Sequence, residues 1–288
     1  MAVVATGFFD GVHIGHRLVI EALTQSARER GEESLILTLW PHPRTVLQND
    51  AMQLRLLNSL SEKIEILKGL GVDRVEVLPF SRQFSAMTAR EYLEDIVIGR
   101  YGGTAVLLGY DNRIGSDISS PEQASVKARE LGLEVIRTDK VSSVGIAVSS
   151  TKIRKALSEG NVEAASQMLC YDYSLHGVVV SGKMLGRTIG YPTANMQLYE
   201  PLKLVPAYGV YLTRVETLGE TYYGMTNVSD VIETHILDFD EMIYGLDIKI
   251  SFLRKIRDEF KFCNLDELRM QLALDEKACR KLVSEELD

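Results

Sequence analysis

Cysteine is scarce. Only Cys170, Cys263 and Cys279 occur in 288 residues, and no pair has CxxC spacing. That argues against a disulfide framework and a cysteine-built zinc site, and leaves free thiols suited to a reducing compartment. Long apolar runs are also missing. None reaches the roughly 20 residues of a membrane-spanning helix, and no signal-like segment opens the sequence. A cytoplasmic location without membrane partners is expected. Basic excess is the third absence: 32 Lys and Arg stand against 40 Asp and Glu, a net charge of -8 with no basic block. A nonspecific nucleic-acid binder is therefore not expected. A phosphate ligand remains open, because a phosphate site needs only a few local donors. Repeats and low-complexity segments are absent too, and a monomer or weak oligomer is expected.

The length favours two domains over one. In the first part strand and helix signals alternate. Apolar runs at Ala2–Gly7, Ser34–Trp40, Arg74–Phe80, Thr104–Tyr110 and Leu133–Thr138 read as strands. Helices are expected over Arg17–Arg30, after the capping boxes Ser59-x-x-Glu62 and Thr88-x-x-Glu91, and from Ser120. Ser150–Leu169 reads as two helical pieces broken at Gly160-Asn161. Such alternation implies a doubly wound parallel-sheet α/β domain, expected over residues 1–170. From 171 to 288 the pattern changes. Leu175–Ser181, Val210–Glu216, Thr221–Met225, Glu233–Asp238 and Leu246–Phe252 are short strand-like runs, followed by a helix over Leu265–Glu286. This predicts an antiparallel β-barrel with a terminal helix.

The densest polar turn in the first half is Phe8-Phe9-Asp10-Gly11-Val12-His13-Ile14-Gly15-His16, between a strand and a helix. A helix start exposes unpaired N–H groups and the positive end of its dipole. Gly11 and Gly15 let backbone approach a ligand, and His13 and His16 lie three apart, on one face. The combination describes a phosphate pocket with two polarisable donors. Other readings are structural histidines, zinc held with His42, or a dinucleotide turn, although Gly7, Gly11 and Gly15 do not spell GxGxxG. Ser149-Ser150-Thr151-Lys152-Ile153-Arg154 gathers hydroxyls, a helix start and a guanidinium, a set that suits polyphosphate.

Gly7–His16 resembles the GxFDGxHxGH signature of the FMN adenylyltransferase domain in bacterial bifunctional riboflavin kinase/FAD synthetases. Trp40-Pro41-His42-Pro43, Gly109-Tyr110-Asp111 and Ser149–Arg154 are similar to that family's FxPHP, GxDFxFG and SSTxIR motifs. The resemblance implies catalytic roles for His13, His16 and Arg154. It implies ATP or phosphate contacts for Gly7, Phe8, Phe9, Asp10, Gly11, Gly15, Ser150 and Thr151. Flavin contacts are implied for Pro41, His42, Asp111 and Asn112.

In the second half, Gly177–Lys183 looks like a P-loop, but Met184 replaces the magnesium-binding hydroxyl. The stretch instead suits a Gly-rich flap whose backbone wraps phosphates. Gly182–Asn195 resembles the riboflavin kinase signature GxxxGRxxGxPTAN. It implies phosphate contacts for Gly182, Lys183, Gly186, Arg187 and Gly190. Thr193 and Asn195 are hard oxygen ligands suited to Mg2+. Glu233-Thr234-His235 looks like the family's ExH strand, which implies Glu233 as catalytic base. Arg257 and Glu259 resemble its RxExxF segment and are expected to support the flavin site. Three places depart from the pattern, one of them the stretch before Ala2, which is shorter than usual for the family. Asn112 and Ile114 replace phenylalanines, and only Ser229–Ile232 separate Val228 from Glu233.

The resemblance implies ATP-dependent conversion of riboflavin to FMN, then of FMN to FAD. A class I aminoacyl-tRNA synthetase-like fragment is the alternative enzyme, since it shares HIGH but leaves Pro-Thr-Ala-Asn unexplained. A non-catalytic flavin-binding protein on the same scaffold is the alternative binder.

Overall fold

In a computed structural model of the chain, described here for residues 1–47, 54–109, 114–137, 148–182 and 185–287, two compact units form, Met1–Ser150 and Thr151–Asp288. The first unit is built on β1 (Ala2–Gly7), whose side chains are buried on both faces. Around it lie β2 (Glu33–Trp40), β3 (Arg74–Pro79), β4 (Gly103–Leu108) and β5 (Glu134–Arg137), in the order β3-β2-β1-β4-β5, all parallel. Val3, Ala5 and Ile36 face one core with Ile20, Leu23 and Leu67. Val4, Leu35 and Leu37 face the other with Tyr92, Leu93 and Val97. This alternation within continuous apolar runs is what a sheet covered on both faces requires. Fully burying each of these aliphatic side chains contributes about 1.5–3 kcal/mol.

The helices of this unit are α1 (Ile14–Arg30), α2 (Pro43–Leu47), α3 (Leu60–Gly69), α4 (Arg82–Ser85), α5 (Ala89–Glu91, running on as π-helix over Tyr92–Arg100) and α6 (Pro121–Glu130). Both expected capping boxes form, at Ser59/Glu62 and Thr88/Glu91. Helix α1 begins three residues before the expected Arg17. Ile14 and Gly15 are poor helix formers, so apolar periodicity alone misses this first turn. The strand order reverses between β1 and β4, which makes the turn after β1 the ligand position of an open α/β sheet.

The second unit starts with α7 (Ser150–Ser158), which begins at the division point, and α8 (Val162–Leu169). Six antiparallel strands then close a barrel in the order β10-β7-β6-β11-β8-β9. They are β6 (Ser174–Val180), β7 (Ala194–Leu198), β8 (Gly209–Thr217), β9 (Glu220–Val228), β10 (Ile232–Ile236) and β11 (Asp247–Arg257). A short α9 (Leu185–Thr188) precedes β7, and α10 (Leu265–Leu287) ends the chain. The sequence predicts five barrel strands; β7 is the sixth. It opens with Ala194-Asn195, the end of a stretch read as a turn. Val228 and Ile232 pair directly, with Ser229 donating its N–H to the Val231 carbonyl at 3.0 Å, so the short segment between β9 and β10 closes as a hairpin. The three cysteines are free, and burial pushes the Cys279 thiol up to about 12.

Candidate active sites

In the first unit the backbone of the β1–α1 turn is unusual. Phe9, Gly11 and Val12 all have positive φ, 49°, 85° and 35°. For a β-branched residue such as Val12 this is strained, and strain persists only where surroundings over-determine it. The surroundings do so. The Asp10 carboxylate accepts the backbone N–H groups of Leu57 and Asn58 at 3.1 and 3.3 Å. Ser150 donates its hydroxyl to the Asp10 carbonyl at 2.9 Å. Lys63 donates to the Phe8 carbonyl at 3.0 Å.

The turn delivers the two histidines to the start of α1. His13 is the N-cap in extended geometry, its side chain makes no capping hydrogen bond, and no acidic residue occupies the first turn of the helix. The helix therefore presents orphan N–H groups and a positive dipole end. The rings of His13 and His16 stack at 3.8 Å with 12° between planes, and Phe9 meets His16 edge-on. Burial holds His16 well below the ordinary imidazole value, and the nearby His13 and Lys63 push it further down. Its Nδ1 is buried and meets no hydrogen-bond partner among the described residues. His16 is thus a neutral imidazole at a helix N-terminus, a donor site for an anion that carries no charge of its own. His42, after the cis Trp40-Pro41 bond, packs its ring 4.1 Å from Phe8, and its Nδ1 accepts the Arg44 N–H. Gly7 and Gly15 flank the histidine turn. Thr151 and Arg154 lie on α7, Thr151 exposed and Arg154 half-buried. Asp111 and Asn112 lie outside the described residues.

In the second unit, strand register brings the expected residues together. Glu233 on β10 lies opposite Asn195 of β7 and Asn227 of β9. Directly opposed residues share a face of the sheet, so one carboxylate and two carboxamides form a row. Neighbouring Thr234 belongs to the other face, in a buried chain in which Thr213, Thr226 and Thr234 hydroxyls are linked at 2.8 Å. Glu233 and Asn227 of this row line a cavity of about 300 Å3, with Thr193, Arg257, Glu259 and Phe260. A second cavity, about 460 Å3, is lined by Arg187, Pro192, Thr193, Phe239 and Tyr244. Thr193 borders both. Gly182 is required by close approach: a Cβ there would fall 2.3 Å from the Asn195 amide nitrogen. Gly186 lines the smaller cavity, and Gly190 sits at φ 88°. Lys183 lies outside the described residues.

Two supporting contacts were not expected from sequence. His235 Nδ1 is 2.8 Å from the Pro192 carbonyl. A carbonyl only accepts, so Nδ1 carries the proton and the ring steadies the turn that presents Thr193. Asparagine places its amide N–H where Nδ1 stands, whereas glutamine places it near Nε2. His235→Asn should keep this hydrogen bond and the stability of the second unit close to wild type. His235→Gln and His235→Ala should each cost that unit about 1 kcal/mol, the worth of one hydrogen bond. Chemical denaturation of the three variants checks this.

Arg257, expected to support the flavin site, is held by α10. Its guanidinium donates to both oxygens of Asp275, at 2.8 to 3.0 Å, and Asp275 is 2 % exposed. The guanidinium also lies over the Phe260 ring at 4.4 Å. Removing one partner of a buried pair strands the other, so Asp275→Ala should cost the second unit about 3 kcal/mol. Chemical denaturation followed in that unit measures it.

Lys63 is the polar residue of the first site that motif reading missed. It is 2 % exposed, and burial lowers its ammonium to about 8, partly offset by Asp10. The shift from 10.5 corresponds to roughly 3 kcal/mol of disfavoured charge. A signal was present: Leu60, Lys63 and Leu67 fall on one helical stripe after a capping box, and a lysine there is out of place.

A family profile described as FAD synthetase matches residues 1–152, and one described as riboflavin kinase matches residues 169–283. The bifunctional riboflavin kinase/FMN adenylyltransferase of Listeria monocytogenes is 36% identical over 288 residues, covering 96% of this chain and 91% of that protein. The Escherichia coli (strain K12) protein of the same description is 33% identical, covering 97% and 92%. Among solved structures, one described as a macrolide-efflux protein from Streptococcus pneumoniae superposes with TM-score 0.88 at 32% identity, covering 97% of this chain and 94% of that one.

Proposed function

The chain belongs to the bifunctional riboflavin kinase/FMN adenylyltransferase family, and from that premise we propose which residues carry each of its two reactions. Phosphorylation of riboflavin is assigned to the barrel, and adenylylation of FMN to the parallel-sheet unit. The efflux description of the Streptococcus structure is not carried over. Among the described residues no helix is long and apolar enough to cross a membrane, and the tandem family profiles account for both units.

For the first reaction, the observation that carries the assignment is Thr193, which borders two cavities at once. Riboflavin fits the cavity that holds Glu233, and ATP the one lined by Arg187 and Pro192. Glu233 takes the proton of the riboflavin 5′-hydroxyl. The oxygen attacks the γ-phosphorus of ATP, and ADP leaves. Thr193 and Asn195 would hold magnesium; their hard oxygens, beside a carboxylate in register, fit that ion. When bound, it neutralises charge on the transferring phosphate. Gly182, Lys183, Gly186, Arg187 and Gly190 cradle the phosphates. Arg257 and Glu259 shape the flavin end.

For the second reaction, an oxygen of the FMN phosphate attacks the α-phosphorus of ATP, and pyrophosphate leaves. Both reactants bring their own reacting groups, so no protein nucleophile is needed. Alignment and charge stabilisation then supply the catalysis. The start of α1, with His13 and His16, donates to the phosphates, and Ser150 adds a hydroxyl; the phosphate role of Thr151 and Arg154 rests on the SSTxIR-like motif alone. Pro41, His42, Asp111 and Asn112 are assigned to the flavin. Incubation with riboflavin, ATP and magnesium, followed by separation of flavins, should yield both FMN and FAD. Binding of flavin without either product would overturn the reading.

A further inference from the structure

Burying an ammonium is costly unless an opposite charge sits beside it. Lys63 is 2 % exposed, yet among the described residues it forms no ion pair. Its nitrogen has three N–H donors and, among the described residues, makes one hydrogen bond, to the Phe8 carbonyl. The rings of Phe8 and Trp40 lie 4.8 and 5.7 Å away and supply only a weak cation–π attraction. Asp10 is the nearest compensating carboxylate, but it is engaged with the N–H groups of Leu57 and Asn58. The site thus holds an under-compensated positive charge against the turn that presents His13 and His16.

We infer that Lys63 is a phosphate-recognising residue of the adenylyltransferase site, a buried cation whose missing counter-charge is the polyphosphate of ATP. Its hydrogen bond to Phe8 ties the strained turn to α3, and its two remaining donors are available to the anion. The inference rests on the reading that this turn holds ATP phosphates, and it adds a positive charge that the neutral His16 imidazole does not supply.

The ionisable groups around Lys63 are Asp10 from the turn after β1 and His16 from α1. His13 stacks behind His16, His42 lies against the Phe8 ring, and Glu62 precedes Lys63 on α3. Carboxylates and imidazoles ordinarily ionise below pH 7. An alkaline change in this site therefore belongs to Lys63. Its folded value, about 8, is depressed from 10.5, so the charge is present at pH 7 and lost as pH rises through 8.

The test is the conversion of supplied FMN to FAD, with kcat/KM for ATP measured from pH 6.5 to 9.5. Wild type should show a decline centred near 8. Lys63→Met should lower kcat/KM about 100-fold, the worth of one preorganised charge-stabilising donor, and abolish the decline. Lys63→Arg, whose charge does not titrate in this range, should retain more activity than Lys63→Met and also lack the decline. Riboflavin phosphorylation by the same samples should be unchanged in all three. Wild-type kcat/KM in Lys63→Met, or a loss that keeps the same alkaline decline in both variants, would overturn the inference. If Lys63→Met unfolds the first unit, the pH profile of Lys63→Arg alone decides. Failure of the underlying reading is distinguishable: His16→Ala would then leave FAD formation intact.

Discussion

Glu233→Gln leaves riboflavin unphosphorylated, while FMN supplied to the same protein is still converted to FAD. This is the expected result if the barrel carries the kinase step and Glu233 is its base. The substitution keeps the size and polarity of the side chain and removes only its capacity to take a proton. Its neighbours, Asn195 and Asn227, are carboxamides and cannot substitute as bases. A positioned general base is worth about 100- to 10,000-fold in rate, so FMN formation should fall by that factor. The register of β10 between β7 and β9 does not depend on the carboxylate, so the barrel should fold. Separation of riboflavin, FMN and FAD after incubation with either flavin decides the matter. Loss of both conversions in a folded protein would refute the two-site assignment.

The second large effect is expected at His16. His16→Ala should stop the sequence at FMN, with FAD formation reduced about 100- to 1,000-fold, the range for losing one preorganised donor. Riboflavin phosphorylation is the internal control. The pH behaviour follows from the depressed imidazole. A histidine held neutral in the folded state takes up its proton more readily in the unfolded chain. Its contribution to stability is therefore present above the ordinary value near 6.5 and lost as pH falls below it. The first unit should lose stability on acidification through that range, and His16→Gln should flatten the slope. Thermal unfolding of the first unit between pH 5 and 8 measures this. Lys63 has the opposite place on the pH scale. Its penalty is fully present below pH 8 and relieved as pH rises toward 10.5, so alkali should stabilise the first unit through this residue while weakening its hold on ATP.

The two sites differ in how they are built, and the difference explains what each tolerates. The barrel site is a product of register: Asn195, Asn227 and Glu233 meet because three short strands pair in one alignment. A slip of one residue would exchange them for the buried threonine face. The Thr213–Thr226–Thr234 chain, fully satisfied inside the barrel, opposes such a slip. The histidine site is a product of a strained turn pinned from outside by Leu57, Asn58, Lys63 and Ser150. Loosening any of these pins should degrade His13 and His16 without touching them.

Much of this was legible in the chain. Continuous apolar runs alternating with capping boxes fixed the parallel sheet, because a strand buried on both faces and a capped amphipathic helix each leave a local signature. The histidine turn, the Pro-Thr-Ala-Asn stretch and Glu233 were legible as motifs because their chemistry is local. Tertiary structure decided the rest. That β7 completes the barrel, that Thr193 borders two cavities, and that His235 steadies the Pro192 turn all depend on long-range pairing. Lys63 is the clearest case. In sequence it is one of 32 basic residues; only packing beneath Phe8 and Trp40 makes it a buried charge in need of a partner. Spacing sets which groups lie near one another along the chain, but burial sets what a charge costs, and burial exists only once the chain has folded.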